Sequence, residues 1–364
     1  MSTIQVTKSS MPPFDEYCEE IKTIWDSVQL TNCGTLHERL KEQIKNYLGV
    51  QETELFVNGH LALYCALRAL GITEGEVITT PYTFASTTNA IIQAGCTPVF
   101  CDIKPDYTID ESKIESLITL RTVAILGVHV YGNICNVDAI QEIADRHNLK
   151  VVYDAAHAFG VTYHGCGIGT YGDISMFSFH ATKVFNTIEG GCLTYHDPSL
   201  TARLAAERNF GIFGESLVGF GTNAKMNEFQ AAMGLCNLRH LDEELALRRK
   251  VWDKYIDNLT GVPGVTLLPL VSGIRQNYAY FPVLVNPVKY GQTRDDLQLR
   301  LSGQDINARK YFYPLTSENG GFLHQTIEDT PNAWAYSRNV LCLPMYAHLS
   351  LTDVDRICSI IKNS

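Results

Sequence analysis

Three short segments carry side chains able to do covalent or acid–base chemistry, and each follows a run of β-forming residues. In Phe177-Ser178-Phe179-His180-Ala181-Thr182-Lys183 a lysine stands just past a strand-like stretch, with a serine ahead of it. A lysine desolvated beside another cation loses basicity, and its free amine can then attack a carbonyl and shuttle protons. In Val151-Val152-Tyr153-Asp154-Ala155-Ala156-His157 a carboxylate ends a strand that reads as buried. Such a carboxylate must face a cation or several donors, because leaving it unpaired is costly. In Asn58-Gly59-His60, between a strand and a helix, free backbone N–H groups and the helix dipole favour a phosphate. Taken singly, each has a plainer reading: Gly59 as a tight turn with an unusual dihedral, Asp154 as a helix N-cap, Lys183 as a solvated surface residue.

Taken together, the three fit one ligand, pyridoxal 5′-phosphate (PLP). Lys183 would hold it as a Schiff base, and Gly59 and Ser178 would meet its phosphate. Asp154 would keep the pyridine nitrogen protonated, which makes the ring an electron sink. His157 would reach the phenolic oxygen. A competing motif, Gly167-Ile168-Gly169-Thr170-Tyr171-Gly172, matches the dinucleotide pattern, but that fingerprint must open a helix and the β-like Ile174 to Phe179 follows instead. There is no Walker A sequence, H-E-x-x-H or nucleophile elbow. The acidic pairs Glu19-Glu20 and Glu243-Glu244 read as solvated helix faces.

The elements that must position these residues are legible in outline. Between about 54 and 160, β-like runs (Leu55 to Val57, Val77 to Thr80, Thr97 to Ile103, Val123 to Val130, Lys150 to Asp154) alternate with helical stretches (Leu61 to Leu70, Ser86 to Ala94, Val137 to His147), two of them stopped by Gly71 and Gly95. This is the pattern of a mostly parallel α/β sheet with helices on its faces. In such a sheet ligands bind beyond the carboxyl ends of the strands, where all three segments fall. A helical stretch from about Asn227 to Leu259 ends at Thr260-Gly261-Val262-Pro263-Gly264, and shorter strands and helices follow, as in a smaller α+β domain. The expected division is an N-terminal segment over 1–30 packing near the active site, a large domain over 31–245 and a small domain over 246–364.

Composition restricts the class further. The 364 residues are 45% hydrophobic and 19% charged, ordinary for a globular enzyme. A net charge of -10 argues against nucleic acid or a membrane surface as the partner of the whole chain. The start of the chain lacks a basic-then-apolar signal and no apolar run is long enough to span a bilayer, which suggests a cytoplasmic protein. Eleven scattered cysteines without a C-x-x-C pair read as reduced core residues, with no metal site.

Five or more motifs in order extend this reading over nearly the whole chain: Asn58-Gly59, Pro81-Tyr82-Thr83-Phe84-Ala85, Val128-His129-Val130-Tyr131-Gly132, Asp154-Ala155-Ala156-His157 and the Lys183 segment, then Thr222 to Ala232, Phe312-Tyr313-Pro314 and Leu343-Pro344. With them the sequence resembles the sugar-nucleotide aminotransferases of the DegT/DnrJ/EryC1/StrS family. The resemblance implies a type I PLP fold, a homodimer with shared active sites, and transfer of an amino group from L-glutamate to a keto-sugar nucleotide, with pyridoxamine 5′-phosphate as the alternate cofactor form. Carried over residue by residue, Lys183 binds the cofactor and shuttles protons in both half-reactions, Asp154 pairs with the ring nitrogen and Phe84 stacks on the ring. Gly59, His60 and Ser178 surround the phosphate, which Asn223 reaches from the partner chain, and His180, Lys225 and Tyr313 contact substrate. Four positions depart from the family pattern: His60 for Thr or Ser, His157 for Gln, Lys225 for Arg, and Phe312 for His. The second makes the ring's polar partner titratable near neutrality, and the last leaves Tyr313 as the expected substrate contact. The stretch Ser178 to Gly191 looks most like enzymes that make dTDP-4-amino-4,6-dideoxy-D-glucose for surface polysaccharide of O-antigen type. That implies amination at C4 of dTDP-4-dehydro-6-deoxy-D-glucose, the alternative being C3 of a 3-keto isomer.

Overall fold

The computed structural model describes residues 3–269, 271–318 and 328–363. Seven strands, β1 (Glu52–Phe56), β2 (Glu76–Thr79), β3 (Thr97–Phe100), β4 (Thr122–Val128), β5 (Lys150–Asp154), β6 (Ile174–Ser178) and β7 (Gly191–Tyr195), form one sheet in the order β1-β7-β6-β5-β4-β2-β3. Strands β2 to β6 run parallel, while β7 pairs antiparallel with both β1 and β6. Every position of β2 and of β7 is buried. A sheet covered on both faces buries successive strand positions instead of alternate ones.

The helices that shape the site are α1 (Phe14–Ser27), α2 (Thr35–Leu48), α3 (Gly59–Ala69), α4 (Ala85–Gln93), α5 (Val137–His147), α6 (Glu228–Arg239) and α7 (Leu241–Leu259). Helix α3 buries Ala62, Leu63, Ala66 and Leu67 and packs on β6 and β7, and the close approach of Gly59 to Ser178 holds its N-terminus at the carboxyl end of β6. After α7, the strands β8 (Val265–Leu267), β9 (Phe281–Val285) and β10 (Val340–Leu343) make a small antiparallel sheet. Helices α8 (Arg294–Ser302) and α9 (Leu351–Lys362) complete this part, α9 burying Val354, Ile357, Cys358 and Ile361 at helical spacing. The architecture is thus the large, mostly parallel mixed sheet plus smaller α+β unit that the sequence pattern implies.

The start of the chain ties both parts together. Ile4 bridges to Ile306, the Val6 carbonyl accepts from Met345 N–H, and the Ser10 carbonyl accepts from Asn186 at 3.0 Å. None of residues 3–30 lines the cavity described below. Eight of the eleven cysteines are buried and none is disulfide-bonded.

The acidic pairs are not uniformly solvated. Glu20 is nearly buried and bonds Arg39 at 2.7 Å and also Arg239, while Glu244 is buried against Arg248 at 2.8 Å. Adjacent helical residues point about 100° apart. One member of each pair therefore turns inward even where its neighbour faces water.

Candidate active site

A cavity of about 650 Å³ opens where the carboxyl ends of β4, β5 and β6 meet the N-termini of α3 and α4, with Arg309, Tyr311 and Phe312 closing it from the small domain. Val128, Asp154 and Ser178, the last residues of those three strands, all line it.

The α3 end supplies donors. Asn58 caps the helix, its side-chain oxygen accepting from Leu61 N–H at 2.8 Å, and Ala62 N–H takes the first helical bond to the Asn58 carbonyl. The N–H groups of Gly59 and His60 find no acceptor among the described residues. They face the cavity with the positive end of the helix dipole, a ready anion site. Gly59 does not have a positive φ, so a turn dihedral of that kind is not what requires glycine here. It is glycine because of crowding: a Cβ there would sit 2.9 Å from Ser178 Cβ and 3.2 Å from Met176 Sδ.

Asp154 is buried at the end of β5. Its carboxylate accepts from Thr87 Oγ1 at 2.7 Å and from Ala156 N–H at 3.1 Å. Because Thr87 spends its only hydrogen on Asp154, the 2.7 Å contact between the Thr83 and Thr87 hydroxyls has Thr83 as donor. Burial raises the Asp154 carboxyl above its ordinary range, and the Thr87 and Ala156 hydrogen bonds and the nearby Lys183 charge oppose that rise. The site therefore holds a carboxylate that gains from a positive partner in the cavity.

His157 behaves differently from its sequence expectation of a group titrating near neutrality. Burial first, then the Lys183 and Arg309 charges, hold it well below the usual histidine range, so it is neutral at physiological pH. Its Nδ1 accepts from Tyr131 N–H at 3.1 Å, which places the hydrogen on Nε2 as a donor. Asn277 fixes the same turn from the small domain by donating to the carbonyls of His157 and Phe159.

Lys183 reaches the cavity from the loop after β6. Burial is the main cause that pushes its ammonium down to about 8, with the Arg309 charge adding to it and Asp154 opposing. Its Nζ lies 5.9 Å from the centre of the Tyr280 ring. Ser178, half-buried, turns toward the α3 end. His180 Nδ1 is engaged by Thr182, and Nε2 lies 3.5 Å from Glu189 at the cavity mouth.

The structure therefore gathers Gly59, His60, Phe84, Asp154, His157, Ser178, His180 and Lys183 around one cavity. Both nitrogens of the His60 ring are engaged, by Ser86 and Gln93 at 3.0 Å each, leaving its backbone N–H for an anion. Three expected residues are not brought to this cavity within the chain. Asn223 is exposed and bridges to Asn209, and Lys225 Nζ bonds the Asn209 side chain at 2.5 Å. Tyr313 lies among Arg294, Lys310 and Arg338, whereas Phe312, set aside in the sequence reading, lines the cavity. Sequence reasoning missed Thr87, Arg309 and Tyr311. Thr87 falls four residues after Thr83, a helical spacing that signals a shared face; Arg309 and Tyr311 carry no such signal.

PLP fits this donor set. The free α3 N–H groups and the Ser178 hydroxyl suit a phosphate, Asp154 a ring cation, His157 Nε2–H a phenolate, and Lys183 a carbonyl. The comparisons with known proteins agree. The model of the DegT/DnrJ/EryC1/StrS aminotransferase family matches residues 14–362. A dTDP-4-amino-4,6-dideoxy-D-glucose transaminase of Shigella dysenteriae is 41% identical over 99% of this chain and 98% of its own. A dTDP-3-amino-3,4,6-trideoxy-alpha-D-glucose transaminase of Streptomyces venezuelae is 32% identical over 84% of this chain and 80% of its own. Among solved structures, DesI with its TDP-sugar product superposes with a TM-score of 0.95 at 32% identity, covering 100% of this chain and 93% of DesI. The chain belongs to the DegT/DnrJ/EryC1/StrS aminotransferase family.

Proposed function

We propose that this PLP-dependent aminotransferase moves the amino group of L-glutamate to C4 of dTDP-4-dehydro-6-deoxy-D-glucose, giving dTDP-4-amino-4,6-dideoxy-D-glucose for a surface polysaccharide. The observation that carries the reaction is Lys183 and Asp154 facing one cavity together with a helix N-terminus whose first N–H groups have no acceptor among the described residues. The choice of C4 rests on the relatives, since the C4 transaminase is more similar, and over more of the chain, than the C3 transaminase.

When bound, PLP supplies an electrophilic carbonyl and a ring able to store an electron pair. The chain's own residues do the rest. The α3 N–H groups and Ser178 bind the phosphate, Asp154 keeps a proton at the ring nitrogen, and His157 donates from Nε2 without taking a charge. Lys183, neutral in a substantial fraction near pH 8, takes the proton from the amino-bearing carbon of glutamate and returns one to C4 of the sugar. One base serves both directions.

The reading includes a homodimer. The segment leading to Asn223 exposes Phe213, Leu217, Val218 and Phe220, a patch of apolar side chains that a second copy would cover. Asn223 would then reach the phosphate of the partner's site. The reading places the reaction in the cytoplasm; among the described residues no helix is long and apolar enough to cross a membrane.

The test is to incubate the PLP-loaded protein with L-glutamate and, separately, the 4-keto and 3-keto dTDP-6-deoxyhexoses, then locate the new amine by NMR. An amine at C4 is expected; one at C3 overturns the substrate and leaves the reaction class standing. Lys183→Ala should abolish turnover in a folded protein that still binds PLP, and borohydride should fix the cofactor on Lys183 of the parent.

A further inference from the structure

Among the described residues, four carboxylate, amine or guanidinium side chains line the cavity, and three have evident partners or duties. Asp154 takes the Thr87 and Ala156 hydrogen bonds, Glu189 faces His180, and Lys183 is the base. The fourth, Arg309, has no carboxylate among the described residues. Its backbone is fixed by two hydrogen bonds with Cys342, at 3.0 and 2.8 Å, so the side chain leaves a rigid strand edge. The guanidinium lies 4.4 Å from the centre of the Tyr311 ring, Tyr311 lies 5.5 Å from Tyr280, and Lys183 Nζ lies 5.9 Å from Tyr280. One aromatic wall thus carries two neighbouring cations, and the Arg309 charge is among the causes that depress both Lys183 and His157. Arg309 is exposed at the cavity and has no carboxylate partner among the described residues, so its guanidinium is open to an anionic ligand that enters beside the reactive amine.

We propose that Arg309 anchors the α-carboxylate of the amino donor. The inference rests on the transaminase reading and names the residue that selects its first substrate. A donor amino acid must bring its nitrogen to the place of Lys183 Nζ, and its α-carboxylate is bonded directly to the carbon that reacts. It therefore arrives at the neighbouring position on the same wall, where a planar guanidinium can hold it by two parallel hydrogen bonds. The γ-carboxylate is two carbons further away. The diphosphate of a sugar nucleotide hangs from C1, across the hexose from the reacting C4, so it is not the group attached next to the reacting carbon. Arg309 forms no covalent bond and moves no proton; it positions the donor.

The two half-reactions separate the possibilities. With PLP-loaded protein and L-glutamate alone, bleaching of the cofactor's visible band reports the donor step. With keto-sugar added to the bleached protein, return of the band reports the acceptor step. Arg309→Gln should raise the glutamate concentration for half-maximal bleaching by about 10- to 100-fold, the scale of a lost charge-assisted pair, with a much smaller effect on the sugar step. Arg309→Lys should recover part of the loss. Calorimetry should show the same weakening for glutarate, an unreactive dicarboxylate, with and without PLP bound. Unchanged glutamate dependence in Arg309→Gln, or a loss confined to the sugar step, overturns the proposal. So does an equal loss in both steps with a lowered melting temperature in both variants, which would make Arg309 structural. Parent protein that glutamate does not bleach would instead overturn the transaminase reading.

Discussion

At the residue scale, the chemistry turns on opposing influences at Lys183. Only the neutral amine attacks a carbonyl, and its fraction rises with pH through about 8. The rate at which cofactor-free protein captures PLP should therefore rise with a midpoint near pH 8 rather than near the usual ~10.4 of a lysine. Asp154 favours the ammonium, so Asp154→Asn should move that midpoint to lower pH; Arg309 disfavours it, so Arg309→Gln should move it to higher pH. Stopped-flow capture at a series of pH values reads both signs, and a shared direction would refute the assignment. Thr87→Val removes a hydrogen bond to a buried carboxylate, a loss of about 1–3 kcal/mol. PLP affinity should fall by roughly tenfold or more if that carboxylate faces the ring nitrogen. A Thr87→Ser variant, which keeps the hydroxyl, should stay close to the parent.

At the element scale, the site depends on how tightly α3 is pressed against β6. Gly59→Ala would place a methyl 2.9 Å from Ser178 Cβ. Overpacking of this kind costs about 1–3 kcal/mol and here also displaces the two free N–H groups. The expected outcome is a lower melting temperature together with weaker PLP binding; a variant more stable than the parent with unchanged PLP affinity would contradict the close approach. Helices α1 and α2 show where element reading stopped. Neither was delimited in the sequence. The apolar face of α2 (Leu36, Leu40, Ile44, Leu48) acquires meaning from α6 and β1, against which the helix packs.

At the scale of the whole molecule, two neutral histidines make the fold acid-sensitive. His129 is buried, stacked on Tyr153 at 4.7 Å, and pushed down to about 3 by burial, and His157 is lowered too. Unfolded histidines take a proton near pH 6.5 and these do not, so their contribution is full above about 6.5 and is lost as pH falls toward 3. The slope is about 1.4 kcal/mol per pH unit for each such group. Melting temperature should drop between pH 6.5 and 4.5, and His129→Gln should flatten that drop even if it lowers the plateau. The proposed dimer has its own test. Co-refolded Lys183→Ala and Asn223→Ala chains should recover activity that neither has alone, because one of the two sites in each mixed dimer would hold both native residues. Recovery would be absent if Asn223 served its own chain or no other.

The sequence by itself determined the sheet strands, the glycine-stopped helices and the ordered motifs around Gly59, Asp154, Ser178 and Lys183, because buried parallel strands and turn residues carry local patterns. Tertiary structure alone decided three other matters. The charge state of His157 follows from its burial and from Lys183 and Arg309, which are distant in sequence. Glycine at 59 answers to Ser178, more than a hundred residues away. Arg309 entered the site only because the pairing of residue 309 with Cys342 sets it on the wall that Lys183 shares. Charges and contacts of this kind act through space, and no spacing along the chain encodes them.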